Sequence, residues 1–240
     1  MNITDSQKIK NAGTSQNPDV LRKLAKSSNK SVLRALVLNP NTPADVLESF
    51  APHKKLYFYI AAHPNTPASI LDELGKPEHH QFIREAVALN PSTSTKTLDD
   101  MVNNSHEQRI LKCIALNPNV SENALISLQA RTFWSEDGGL SACLAFNSSS
   151  HYVYGDAFIR RENSARLVAE HLNEMWNTNP GLRRHIVKPN LDATEEDVII
   201  SLSDTFNPPK PQNDRTQRQV VLNSPGAKTR EQTQSKTNEW

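Results

Sequence analysis

Apolar and polar positions follow a cassette that returns five times along the chain. A short run with helical period leads into an Asn-Pro-like corner, and a second short apolar run follows. Taking the corner residue as zero gives Asn39, His63, Asn90, Asn117 and Asn147, spaced 24 to 30 residues apart. Seven positions earlier stand Val32, Leu56, Ile83, Ile110 and Leu140; three earlier stand Leu36, Ile60, Val87, Ile114 and Leu144. Two earlier the residue is Val37, Ala61, Ala88, Ala115 or Ala145. Apolar residues four apart with a small neighbour define one buried helical stripe and predict close approach of adjacent helices.

The register holds beyond the corner. Leu47, Leu71, Leu98 and Leu125 lie eight positions after it, and Phe50, Leu74, Met101 and Leu128 eleven after it. These second segments are about two turns long, which suits either an α- or a 3₁₀-helix. Thr42-Pro43 and Thr66-Pro67 predict an N-cap followed by proline in the first helical turn, with Asp45 completing an approximate capping box. Ser121 is placed to do the same in the fourth repeat. The Asn column predicts a residue that tolerates the left-handed conformation and bonds the corner backbone.

All length variation falls between the +11 residue and the next −7 residue, where the connections hold five, eight, eight and eleven residues. Insertions at one edge with packed columns kept in phase predict an all-α stack of helical repeats. The cassette occupies 1–150, opened by an N-terminal half-repeat cap at 14–27, where Leu21 and Leu24 match Leu47 and Phe50 in phase. Residues 151–206 predict an irregular helical C-terminal capping region: an amphipathic helix at 156–176, then a divergent repeat at 183–202. Residues 207–240 are rich in Gln, Asn, Ser, Thr and Pro, and predict a disordered polar tail.

The strings Leu38-Asn39-Pro40-Asn41-Thr42-Pro43 and Ala62-His63-Pro64-Asn65-Thr66-Pro67, each followed by a Leu-x-x-Leu-like pair, resemble the leucine-rich repeat variant family. The resemblance covers roughly residues 14–147. It implies α-helices alternating with short 3₁₀-helices in a right-handed solenoid, and it supplies no catalytic residues to carry over. The family's founding architecture adds a cysteine-rich iron–sulfur segment; Cys113 and Cys143 are too few for one, so no cofactor is expected.

Charge changes the picture only locally. The chain of 240 residues carries a net charge of +1, but residues 1–55 hold nine basic against four acidic side chains. Lys23, Lys26, Lys30, Arg34, Lys54 and Lys55 are therefore candidate phosphate contacts, and a nucleic-acid-binding repeat protein is one reading. A second uses His53, His79, His80 and His106, which recur in the variable edge connections, as zinc ligands with Glu78 or Glu107. Tyr57, Phe58, Trp134 and Trp240 are candidate anchors for a protein partner. No Gly-rich phosphate loop, His-Glu-x-x-His or Gly-x-Ser-x-Gly motif occurs. Residues 1–13 have no apolar signal core, so a cytoplasmic location is expected. The leading expectation is a non-enzymatic scaffold that displays a rigid surface to another protein.

Overall fold

The computed structural model describes residues 4–132, 138–147, 164–179, 181–182, 188, 191 and 194–206. These residues are helical with no strand among them. Eleven helices form the repeat region. The first row holds α1 (Asp5–Thr14), α3 (Lys30–Val37), α5 (Tyr57–Ala62), α7 (Gln81–Ala88), α9 (Gln108–Leu116) and α11 (Gly139–Phe146). The second holds α2 (Pro18–Ala25), α4 (Ala44–Ser49), α6 (Ala68–Leu74), α8 (Thr95–Asn104) and α10 (Glu122–Thr132). Two further helices follow, α12 (Ser164–Thr178) and α13 (Glu195–Phe206).

The apolar columns become one core. Leu36, Ile60, Val87, Ile114 and Leu144 are fully buried in a single continuous cluster, as are Leu47, Leu71, Leu98 and Leu125. In the first row α1 packs on α3, and α5, α7, α9 and α11 pack each on the next, with the small −2 residues Ala61, Ala88 and Ala115 showing no exposed surface. Gly75 serves the same end in the second row: a Cβ there would press on Thr97 and Met101 of α8.

Polar side chains at the corner close the stack. Helix C-termini leave carbonyls without intrahelical donors. The Asn117 amide donates to the carbonyls of Ala88 and Asn90 in the preceding repeat, at 2.7 and 3.1 Å. Asn39, Asn90 and Asn147 donate in the same way to Ala12 and Ser15, Ala61 and His63, and Ala115 and Asn117. The side-chain oxygens of Asn39, Asn90 and Asn117 accept from the backbone N–H two residues on. Two positions later a second set of rungs runs alongside: Asn65 donates to Pro40 and Thr42, and Asn119 to Pro91 and Thr93. The Asn-Pro-Asn-Thr string is thus a polar seam that ties each repeat to the one before.

Several expectations change at this level. Asn117 and Asn147 are extended, not left-handed, with Asn117 at φ −74° and ψ 128°. That conformation aims the amide at the neighbouring repeat. Thr42, Thr66 and Thr93 cap no helix; each hydroxyl is buried and donates back to the −3 carbonyl of Leu36, Ile60 or Val87. Pro43 is itself extended and α4 begins at Ala44, so Thr42 sits one residue too early to cap it. Asp45 makes no capping box but takes a two-point contact from Arg22 on α2. Ser121 does cap α10, accepting from the Ala124 N–H at 3.0 Å.

The second-row segments are α-helical, six to eleven residues long, and the 3₁₀ turn lies elsewhere, at Lys54–Leu56 before α5. The segment expected as a half-repeat cap is preceded by α1, which packs on α3 and gives the first repeat both of its helices. The expected tail at 207–240 lies outside the described residues.

Candidate functional site

The amphipathic helix expected in the C-terminal capping region is α12, and the segment it opens runs along the first-row helices. Val168, Ala169, His171, Leu172 and Met175 form the buried stripe of α12. It packs on α11 and reaches α9 through His171, Glu174 and Thr178, and the residues just past its end meet α7 and α5. His171 Nε2 lies 3.6 Å from the Cys113 Sγ of α9. Past the end of α12, the Asn179 amide donates to the Phe82 carbonyl of α7 at 2.7 Å. Gly181 rests against the Phe58 carbonyl of α5 so closely that a Cβ would overlap it. We refer to the segment 164–182 as the strap and to the surface it crosses as the strap face.

The first-row columns at −8, −5, −4 and −1 build this face. In α7 and α9 the −8 residues are Phe82 and Arg109, the −5 residues Glu85 and Lys112, and the −4 residues Ala86 and Cys113. Arg109 is the main polar tie. Its guanidinium donates to Glu174 Oε1 at 2.9 Å and to Thr178 Oγ1 at 2.7 Å on the strap, and to Glu85 Oε2 at 3.3 Å. The Arg109 Nε–Glu85 Oε1 contact of 2.9 Å is a charge pair without hydrogen-bond alignment. The ring of Phe82 lies under the guanidinium, 5.7 Å from its carbon.

Glu85 is fully buried, and it also accepts from Gln81 and Asn179. Burial pushes its carboxyl above the ordinary glutamate value, and the charge of Arg109 opposes that rise. The Cys113 thiol is likewise raised well above its ordinary value, chiefly by burial, and both cysteines are free and buried. A thiol held protonated is a poor nucleophile, so the Cys113–His171 pair is packing in this arrangement.

Beyond Phe58 none of the described strap residues reaches the strap face, and Ser31, Arg34 and Lys55 on it are exposed. Its residues there are Ser31, Arg34, Ala35 and Leu38 of α3, and Lys55, Phe58, Tyr59 and Ala62 of the turn and helix at 54–62. Arg34 donates to the Tyr59 hydroxyl at 3.1 Å and lies over its ring at 5.5 Å. Phe58 packs edge-on to His80, 5.9 Å between centroids, and all three aromatics at 57–59 are half-buried against the core.

The other candidates scatter. Lys23 belongs to α2 in the second row, whereas Lys26, Lys30, Lys54 and Lys55 sit in or beside the edge connections, all exposed. His53 packs against Phe50, and His79 against Tyr57. His80 caps α7 by accepting from the Phe82 N–H, and His106 is exposed. No zinc pair from neighbouring repeats forms among the described residues. One group of three, Glu73, Glu78 and His79, has ligand atoms within 4.8 Å of one another, but the Lys76 ammonium already sits on the Glu73 carboxylate. Tyr57 is engaged through its hydroxyl with the Ala51 carbonyl. Trp134 and Trp240 lie outside the described residues.

The strap went unread in the sequence, yet one signal was there. Every residue of α11, Gly139–Phe146, is buried. Its run Gly-Leu-Ser-Ala-Cys-Leu-Ala-Phe lacks a polar face, and a helix apolar all round must be covered on both sides. Comparison with known proteins returns no matching family model, no matching curated protein and no matching solved structure. Among the described residues no helix is long and apolar enough to cross a membrane.

Proposed function

We propose that this chain is a non-enzymatic protein-interaction scaffold, a right-handed α-solenoid of the leucine-rich repeat variant kind that uses its first-row helices to hold a partner. One observation carries the reading: the chain seats a helix of its own, α12, on α11 and α9, with Asn179 and Gly181 extending the contact to α7 and α5. The row is therefore a helix-receiving surface, and on α3 and the turn before α5 it keeps Ser31, Arg34 and Lys55 exposed. Rigid flanking repeats hold the contact side chains in place before binding, so little ordering entropy opposes association.

The test is affinity capture from the native host with the full chain, followed by lysine-directed cross-linking. Cross-links from a captured protein to Lys30, Lys54 and Lys55, which border the strap face, are expected. Cross-links confined to the second-row side, at Lys23 and Lys96, would reject the strap face as the binding surface. Capture of no protein at all would reject the scaffold reading itself.

A further inference from the structure

We propose that the part of the strap face formed by α1, α3 and α5 seats an acidic amphipathic helix of a partner protein, laid end to end with the strap. This rests on the scaffold reading and adds the partner's shape and charge.

Space comes first. Fifteen residues of α12, about 22 Å of helix at 1.5 Å per residue, lie on α11 and α9, and the four positions after them reach α7 and α5. The row continues past the described part of the strap, which meets α5 at Phe58, with α3 and α1. At roughly 8–10 Å per step, that surface accepts a second helix of similar length. That stretch also keeps apolar surface for a helix, in Ala35, Phe58 and Tyr59, each only partly buried.

The charge there is of one sign. Residues 30–37 and 54–62 contain no carboxylate, whereas Lys30, Arg34, Lys54 and Lys55 are all exposed and Lys10 of α1 extends the set. Along the covered stretch the chain shows how it uses such a cation. Arg109 is plated by Phe82 of the preceding repeat and gives its outer donors to Glu174 of α12. Arg34 is plated the same way by Tyr59 of the following repeat, and its hydrogen-bond partner is the Tyr59 hydroxyl. A guanidinium carries five N–H donors, so one bond to a phenol leaves a planar fork held ready for a carboxylate. The aromatic plate and the helical precedent favour a peptide carboxylate as its complement over a nucleic-acid phosphate.

The probe is a fluorescent peptide of residues 164–178, whose Glu170 and Glu174 lie one turn apart, titrated into the full chain by anisotropy. Binding is expected to weaken about tenfold or more in the Arg34→Glu, Lys55→Glu double variant. It should be restored when the peptide carries Glu170→Lys and Glu174→Lys. A helical circular-dichroism spectrum equal to the parent's shows that the variant still folds. Loss of binding with Arg109→Glu but not with the double variant would mean that the peptide only exchanges with α12, and would overturn the proposal. Salt-sensitive binding of a DNA duplex, lost in the same double variant while the peptide does not bind, would overturn it in favour of nucleic acid. If the peptide fails to bind while captured protein still cross-links to Lys30 and Lys55, the acidic-helix proposal falls and the scaffold reading stands.

Discussion

His63 is the one break in the asparagine seam, and it makes the seam titratable. Its Nε2–H donates to the Asn39 carbonyl at 2.9 Å and its Nδ1 accepts the Asn65 N–H at 3.1 Å. Both nitrogens are used, one as donor and one as acceptor, which requires the neutral ring. The side chain is buried, and burial lowers its pKa to about 4, with only the Asn39 carbonyl opposing. In the unfolded chain the same group titrates near 6.5. Below that pH the unfolded state takes up a proton that the folded state refuses, so stability must fall with pH.

The stabilising contribution is complete above about pH 6.5 and is lost down to about pH 4. At about 1.36 kcal/mol per unit the loss is roughly 3 kcal/mol over that window. The His63→Asn substitution puts the seam's usual residue in place and removes the titration. Urea unfolding of both proteins across the window, read as midpoint shifts at constant slope, isolates the term, because every other titrating group is shared. The expected result is a difference between the variant and the parent that grows by roughly 3 kcal/mol from neutral pH to pH 4. A difference independent of pH would refute the neutral-ring assignment.

Three further outcomes follow from the same geometry. Asn117→Ala strands two buried carbonyls and one N–H and should cost roughly 3 kcal/mol or more, whereas Thr93→Val, which mimics Val120 of the next repeat, should cost about 1 kcal/mol by urea unfolding. Arg109→Ala leaves the buried Glu85 without its cation, at a cost of roughly 3–5 kcal/mol for a broken buried pair. Hydrogen exchange should then rise across the strap, residues 164–182, more than across α3 and α5. Gly181→Ala should lift the strap's end from the Phe58 carbonyl, detected as faster exchange at Asn179 and Leu182 with the repeat core unchanged.

The buried columns were legible because helix periodicity depends only on neighbours within one repeat. What crosses between repeats was less so. The corner asparagines were readable as structural, but their partners, carbonyls 24 to 32 residues back, follow from stacking rather than spacing. The Thr42 cap failed for a local reason: Pro43 stays extended and delays the helix start by one residue. Helix α1 was missed because Ala12 is its one buried residue, too little for a stripe to appear. Among the site candidates, Arg34, Lys55, Phe58 and Tyr57 were read as separate kinds of contact. The first three share one face only because −8 and −5 columns from adjacent repeats come together.

Those columns also explain why one row carries such different chemistry along its length. At −5 the series from α11 back to α3 runs Ala142, Lys112, Glu85, Phe58, Arg34, and at −8 Gly139, Arg109, Phe82, Lys55, Ser31. Under the start of α12 the side chains are small, because its backbone lies directly on α11 and Leu172 and Met175 need the room. Towards the strap's end polar groups enter, each answered by a strap residue: Arg109 by Glu174 and Thr178, Glu85 by Asn179. Past Gly181 the cations go on without carboxylates from the chain's own strap, and Tyr59 holds Arg34 at the surface. On the proposed reading the row offers two seats, the first filled from within the chain by the strap and the second, where Tyr59 plates Arg34, taken by an acidic helix from outside it.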